Sequence, residues 1–219
     1  MDWSQRLNDR VVRCRRCPRL VRYVREIARD KKREFRDWEY WGKPVPSFGD
    51  PNARLLIIGL APAAHGGNRT GRVFTGDSSG RWLFRALHKA GFANQPTWQR
   101  RDDGLRLIDC YITAVIHCAP PGNKPLPSEI VNCRCYMEEE LQRLKSLRVV
   151  IALGQIAFTN YLKTRGVSPL PAFGHNKLYD LDPLVVASYH PSRQNTNTGK
   201  LTEPMFDAVF ARAKQLLAE

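Results

Sequence analysis

The stretch Ala53–Leu60, ARLLIIGL, is apolar at every position from Leu55 onward, with Gly59 as its single break. Three later runs share this character: Ile108–Ile116 (IDCYITAVI), Arg148–Leu153 (RVVIAL) and Leu184–Ser188 (LVVAS). A short, continuously apolar run is typical of a parallel strand buried on both faces, whereas a half-exposed strand alternates apolar and polar residues. We therefore expect four buried strands.

Helical periodicity fills the segments between and after these runs. The helical patterns cover residues 79–90, 128–146, 155–165 and 203–218. Strands that alternate with helices predict an α/β fold, a three-layer αβα sandwich around a four-stranded, mostly parallel sheet. The chain has 219 residues and no internal repeat, so residues 1–219 are expected to form a single domain.

The amino-terminal part has a different character. Residues 3–29 form an amphipathic basic pattern that predicts a helix interrupted near Cys17 and Pro18, and residues 30–52 are charged and then rich in Pro and Gly, as in a loop. There is no apolar signal peptide at the start and no run of about 20 apolar residues that suits a membrane. The sequence therefore predicts a cytoplasmic protein without a membrane segment.

The charge balance indicates the kind of partner. Lys and Arg number 35 against 21 Asp and Glu, a formal net charge of +14, and most of the basic residues are arginines. The planar guanidinium group suits phosphate, so this excess favours a nucleic-acid partner. The alternative is a basic surface that is merely solvated.

Six cysteines in a cytoplasmic protein need an explanation other than structural disulfides. Cys14 and Cys17 have the short spacing at which two thiolates share one metal centre, and Cys118 and Cys133 are remote partners for them. Cys110 lies inside a predicted strand as a core thiol, and Cys135 competes with Cys133. Spacing alone leaves zinc and an iron–sulfur cluster equally open.

Small, polar and glycine-rich segments follow each predicted strand. They are residues 59–77, 117–124, 154–155 and 189–200. In an open parallel sheet, ligands bind beyond the carboxyl ends of the strands, so these segments predict a cleft that binds an anion. The glycine-rich phosphate motifs and a nucleophile elbow are missing, and glycines in such turns also occur for turn geometry alone.

Five motifs in these segments resemble one known family. They are Gly59–Gly66 (GLAPAAHG), Asn68–Arg72 (NRTGR), Phe74–Asp77 (FTGD), Cys118–Asn123 (CAPPGN) and His190–Ser192 (HPS). In this order they resemble the uracil-DNA glycosylase superfamily, in particular the family 5 (type B) enzymes of thermophilic bacteria and archaea. The resemblance implies that fold and the removal of uracil from DNA. Other deaminated bases such as hypoxanthine are expected as further substrates, and a monomer is the default expectation. The resemblance also implies a 4Fe–4S cluster on Cys14, Cys17, Cys118 and Cys133.

The motifs suggest roles for individual residues, each with a structural alternative. His190 is the first catalytic candidate, as a donor to the base carbonyl, and otherwise contacts phosphate or caps a turn. Phe74 is expected to stack on the extruded base, although an aromatic residue after a strand is more often core. The backbone of Ala63, Ala64 and His65 is expected to meet the base or a phosphate.

Two further catalytic candidates and a DNA-contacting segment complete the predicted site. Asn123 is expected to hold a water unless it only forms a turn, and Asp77 is expected to orient water or face the sugar unless it caps the helix at residue 78. The residues expected to contact phosphate or the minor groove are Ser192, Arg193, Asn195 and Asn197, and the alternative is a polar loop that is merely solvated. Gln194 and Asn195 are candidates to fill the gap left by the base.

The sequence departs from better-known relatives at Ala61 and Ala114. The first position carries a polar residue for the attacking water in those relatives, and the second carries an Asn that reads the uracil edge. We therefore expect a base-binding site at Ala114 with broader base selectivity. Two rival interpretations are a non-catalytic nucleic-acid-binding domain stabilised by zinc or iron–sulfur, and a nucleotide-phosphate enzyme, for which the loops offer only one carboxylate.

Overall fold

The computed structural model describes residues 2–219, and its centre is a mixed sheet of six strands. The strands are β1 (Phe48–Gly49), β2 (Leu55–Gly59), β3 (Cys110–Ala114), β4 (Val149–Leu153), β5 (Lys177–Tyr179) and β6 (Leu184–Ser188). Their order is β1-β3-β2-β4-β6-β5, with the four inner strands parallel and the two outer ones antiparallel to their neighbours. The four predicted parallel strands are confirmed, and the two short edge strands are additional.

Eight α-helices surround the sheet within residues 2–219. They are α1 (Trp3–Val12), α2 (Pro18–Asp30), α3 (Gly67–Thr70), α4 (Ser78–Ala90), α5 (Pro127–Arg143), α6 (Gln155–Thr164), α7 (Arg193–Asn197) and α8 (Glu203–Ala218). The predicted break near Cys17 is confirmed, because Cys17 precedes the first residue of α2 and Pro18 occupies that first position, where its missing N–H costs nothing. The short helices α3 and α7 were not predicted.

Alternate residues of the inner strands face two separate cores. On one face Ile57, Ile112 and Ile151 pack with side chains of α4 and α8. On the other face Leu56 and Val150 pack with side chains of α2, α5 and α6. This is the predicted three-layer αβα sandwich, and it explains why the strand sequences are apolar at consecutive positions.

The parallel arrangement brings the carboxyl ends of β2, β3, β4 and β6 to one edge of the sheet. The segments that follow these strands therefore meet at that edge. No helix within residues 2–219 has the length and apolar character needed to cross a membrane.

Candidate active site

The end of β2 is shaped by a glycine beneath an aromatic ring. A Cβ atom on Gly59 would lie 2.7 Å from Cζ of Phe74, so only glycine leaves room for the ring in this position. Phe74 itself has a left-handed backbone conformation, with φ of 53°. The ring is stacked on the imidazole of His190, with centroids 5.9 Å apart and planes inclined by 27°. The two predicted site residues are thus brought together from different strands.

His190 follows β6 and is held through its backbone. The side-chain amide of Asn195 donates to the His190 carbonyl at 2.8 Å, and the position of a Cβ on Gly154 would lie 3.3 Å from Cβ of His190. Burial lowers the pKa of His190 to about 4, so the imidazole is neutral at physiological pH. Its ring makes no hydrogen bond within residues 2–219, which leaves its N–H free for a ligand.

Ala114 lies at the end of β3 beside Gly59, with which it is paired in the parallel register. It is 3% exposed. Alternation along β3 places Ala114 on the same face as Ile112, the face on which Phe74 also packs. We call Ala114 and Gly59 the floor of the site, because they bring no polar side-chain atoms to the face of the sheet on which Phe74 packs.

The loop after β2 offers backbone donors. The carbonyl of Ala63 accepts from the N–H groups of Gly66 and Asn68 at 3.2 and 3.0 Å. The N–H groups of Ala63, Ala64 and His65 have no acceptor within residues 2–219. The side chain of His65 is used otherwise, since Nδ1 is hydrogen-bonded to the Tyr40 hydroxyl at 3.0 Å and burial lowers its pKa. His65 therefore ties the loop to the segment before β1.

Asp77 is the N-cap of α4. Its Oδ1 accepts from the Gly80 N–H at 2.9 Å, which satisfies one free donor of the helix. Its Oδ2 lies against Gly66, where a Cβ atom would approach it to 2.5 Å. Burial raises the pKa of Asp77, and the positive charges of Arg69 and Arg193 act in the opposite direction. Capping therefore accounts for Oδ1 of Asp77, whereas Oδ2 lies beside the loop that follows β2, which we call the cleft loop.

Asn123 ends a short 3₁₀ turn after Pro121. It has a left-handed backbone, with φ of 58°, and follows Gly122 in the same conformation. Asn123 is exposed, its N–H donates to the Pro120 carbonyl at 3.1 Å, and its side chain makes no hydrogen bond within residues 2–219. The structure shows no contact between Asn123 and either Asp77 or His190.

The segment after His190 forms α7. Ser192 caps this helix by accepting from the Asn195 N–H at 3.4 Å. Arg193 is exposed and its Nε donates to the Ser78 hydroxyl at 3.3 Å. Gln194 and Asn197 are exposed, whereas the Asn195 side chain points back to His190. Gln194 and Asn195 were both candidates to fill the gap in the duplex, and of the two only Gln194 has a side chain that is not engaged with His190.

Four cysteines line one pocket on the α2 and α5 side of the sheet. They are Cys14, Cys17, Cys118 and Cys133. Burial raises the pKa of Cys118 to about 12 and raises the pKa of Cys17. Within residues 2–219 no group of three or more His, Cys, Asp or Glu side chains is arranged to hold one metal ion.

The other two cysteines lie elsewhere. Cys110 is fully buried in β3 among the residues of the core. Cys135 is outside the pocket lining, and its sulfur accepts from Nη1 of Arg16 at 2.7 Å. The structure thus separates Cys133, which faces the pocket, from its competitor Cys135.

Arg69 is a site residue that the sequence reasoning assigned no role. It is 4% exposed, and its guanidinium lies 3.8 Å from the ring centroid of Phe35 and 4.0 Å from that of Trp38. Its Nε donates to the His65 carbonyl and its Nη2 to the Gly76 carbonyl. Arg69 therefore joins two parts of the loop after β2, at His65 and at Gly76. The aromatic residues Phe35 and Trp38 are the sequence features that could have indicated this role.

Comparison with known proteins shows which family the chain is similar to. The model of the uracil DNA glycosylase superfamily matches residues 46–214. A type-5 uracil-DNA glycosylase of Thermus thermophilus is 50% identical over 209 residues, covering 94% of this chain and 94% of that protein. Type-5 enzymes of Pyrobaculum aerophilum and Mycobacterium tuberculosis are 46% and 47% identical over 96% of this chain, covering 92% and 80% of those proteins. The resemblance seen in the sequence is thereby confirmed, and the chain belongs to the uracil-DNA glycosylase superfamily, in its type-5 group.

Proposed function

We propose that this protein hydrolyses the N-glycosidic bond of uracil in DNA, and also releases other deaminated bases such as hypoxanthine, to start base-excision repair. The relatives are named as uracil-DNA glycosylases and align over nearly the whole chain. The observation that carries the proposal is the stack of Phe74 on the neutral His190 beside a floor without polar side chains. It suits a flat base that has left the duplex.

The reaction begins when the damaged nucleotide turns out of the helix, which costs a few kcal/mol. The extruded base stacks on Phe74 above Gly59 and Ala114. Cleavage leaves negative charge on the base and positive charge on the sugar. The neutral imidazole of His190 donates its N–H to a base carbonyl, and this hydrogen bond strengthens as the charge develops. The free N–H groups of Ala63–His65 are additional donors for the base or an adjacent phosphate.

The attacking water needs a polar group, and Asp77 and Asn123 are the candidates. Asp77 keeps Oδ2 beside the cleft loop while Oδ1 caps α4. In the ionised form it faces the sugar cation and orients the water on it. Asn123 offers an unengaged amide that holds a water. We assign the water to one of these two, since the cleft loop supplies no other carboxylate.

DNA is held by the segment that starts at Ser192. Arg193 pairs with a phosphate, Ser192 and Asn197 bond the backbone or the minor groove, and Gln194 fills the gap left by the base. Asn195 acts mainly through the carbonyl of His190, which it holds. Exposed charged and amide side chains of this kind supply position more than sequence preference.

The cysteine pocket fits a cluster of several atoms. Its four thiols line the same pocket, and within residues 2–219 no three such side chains converge on a single metal ion. A 4Fe–4S cluster would be held by Cys14, Cys17, Cys118 and Cys133 and would supply a covalent link between these distant segments. Hydrolysis transfers no electrons, so this group has a structural role. We further propose that residues 1–219 act as one domain, as a monomer in the cytoplasm.

The deciding experiment measures base release. Oligonucleotides carrying uracil, hypoxanthine, xanthine or thymine opposite each partner base are incubated with excess protein, and the free base is quantified. Release of uracil and hypoxanthine with sparing of adenine and cytosine is expected. Tight binding without release of any base would instead favour a non-catalytic nucleic-acid-binding domain.

Ala114→Asn tests the basis of selectivity. An Asn donates and accepts along the uracil edge, so it should raise the preference for uracil over hypoxanthine by roughly tenfold or more, as paired polar groups do in selective sites. The ratio of single-turnover rates on matched oligonucleotides measures this. An unchanged ratio would show that position 114 does not set the base preference.

A further inference from the structure

A row of arginines on α2 lies outside the site described so far. Arg25 and Arg29 follow Arg22 by three and seven residues, which puts all three on one helix face. Arg15, which precedes α2, borders the same open groove. The opposite face of α2 is buried through Leu20 and Val24. We name the set Arg15, Arg22, Arg25 and Arg29 the arginine face.

The arginine face is exposed and its charge is weakly compensated. The side chains of Arg22 and Arg29 are each 74% exposed. Arg22 lies 4.0 Å from Glu26 and Arg29 pairs with Asp30, both as surface contacts that add little to stability. Arg15 and Arg25 have no acidic partner within residues 2–219. Such a surface contributes little to the stability of the fold and is accessible for binding a polyanion.

Helix α2, which carries Arg22, Arg25 and Arg29, is fastened to the cleft. The carbonyl of Val24 accepts from the side-chain amide of Asn68 at 3.2 Å, and Asn68 lies in α3, within the loop that follows β2. The Cβ of Ala28 lies 2.7 Å from where a Cβ on Gly42 would be, which packs α2 closely on the segment before β1. At its start, Cys17 joins α2 to the cysteine pocket. The arginine face is therefore held in a fixed relation to the site.

The spacing suits the backbone of DNA. From Arg22 to Arg29 the helix rises about 10 Å at 1.5 Å per residue. A DNA strand carries one phosphate per about 3.4 Å of duplex axis, so a helix that lies along the duplex passes about three phosphates of one strand over this length. Because guanidinium groups bind phosphate in pairs of hydrogen bonds, a row of them follows a backbone without reading bases.

We propose that the arginine face is a second DNA-binding surface, which holds the sugar–phosphate backbone of the duplex beyond the nucleotide in the cleft. This inference rests on the proposed function in that DNA is the substrate. It assigns these arginines to affinity and search on undamaged DNA, separate from the chemistry at His190.

The test is the salt dependence of binding to an undamaged duplex, measured by fluorescence anisotropy over a series of salt concentrations. The variant Arg22→Ala/Arg25→Ala/Arg29→Ala keeps helix propensity, since alanine is the best helix former. Each lost phosphate contact lowers the slope of log Kd against log salt by about 0.9, so a decrease of up to about 2.7 is expected. Single-turnover uracil release at saturating protein should stay at the wild-type rate.

The control carries the same change of charge at the opposite edge of the sheet. Arg106, Arg143 and Arg148 are exposed and lie near the amino ends of β3 and β4 or at the end of α5. Their triple alanine variant should leave the slope close to that of wild type. Equal slopes for the two variants, or no decrease in the first, would overturn the proposal. A wild type that releases no base, with a lowered slope in the first variant, would refute the proposed function and leave this surface standing.

Discussion

Replacing Gly59 with Ala tests whether the bare end of β2 places the Phe74 ring. The new methyl group would lie 2.7 Å from Cζ and 2.9 Å from Cε2 of Phe74. Carbon atoms pack at about 3.5–4.0 Å, so the ring must withdraw by about 1 Å. A displacement of about 1 Å costs on the order of 10²-fold in rate when it misplaces a positioning group. We expect uracil release to slow by that factor, with a loss of about 1–3 kcal/mol in the free energy of unfolding from overpacking.

The assay is single-turnover release of uracil, combined with urea unfolding. Gly174→Ala is the control, because its Cβ would meet only the flexible side chain of Lys177 at 3.3 Å. If Gly59 acts through the ring, adding Gly59→Ala to Phe74→Leu should change the rate little further. An equal loss in both backgrounds, or a wild-type rate for Gly59→Ala alone, would refute the reasoning.

Four further outcomes are expected. His190→Ala should slow uracil release by roughly 10²-fold with little change in DNA affinity, as for the loss of one donor to a developing anion. Because the pKa of His190 is lowered to about 4, the wild-type rate should show no step near the ordinary histidine pKa, and such a step would contradict the neutral donor. Cys17→Ser should remove the iron and the visible absorption while Cys110→Ser keeps both, whereas a colourless, zinc-loaded wild type from iron-replete cells would contradict the cluster. Burial raises the pKa of Glu140 from 4.5 to about 7, so the folded state keeps a proton that the unfolded chain has lost. The free energy of unfolding, measured by urea titration, should then fall by up to about 3 kcal/mol as pH rises through this window. Glu140→Gln should remove this dependence on pH. A wild type without it would show that the carboxyl is ionised in the folded state.

The inner sheet was predictable because burial on both faces leaves a local trace in the sequence. Every residue of β2, β3 and β4 is buried, and their runs of apolar residues show it. The edge strand β5 leaves no such trace, since Lys177 and Leu178 are exposed and only Tyr179 is buried. Its place is set by pairing with β6, and a contact between distant segments is invisible in a local pattern.

The candidate site divides in the same way. The loops after the strands were predictable, because the carboxyl ends of parallel strands must share one edge. The hold of Asn195 on the His190 carbonyl and the place of Asp77 Oδ2 beside Gly66 depend on how those loops close on one another. The dual position of Asp77 shows this limit well, since sequence reasoning treated capping and catalysis as alternatives and the structure gives each oxygen a different neighbour.

In the proposed function, the floor made by Gly59 and Ala114 sets which bases the site is able to reject. A pocket discriminates strongly when its own buried polar groups are left unpaired by the wrong ligand, and these two residues bring none. On this proposal, recognition depends on the N–H of His190 and the free N–H groups of Ala63–His65. All of these are donors, so they select bases that present carbonyl oxygens and repel the exocyclic amines of adenine and cytosine. Deamination converts such an amine into a carbonyl, in purines and pyrimidines alike. We therefore expect a site built from donors above an apolar floor to recognise the result of deamination more than the identity of the base.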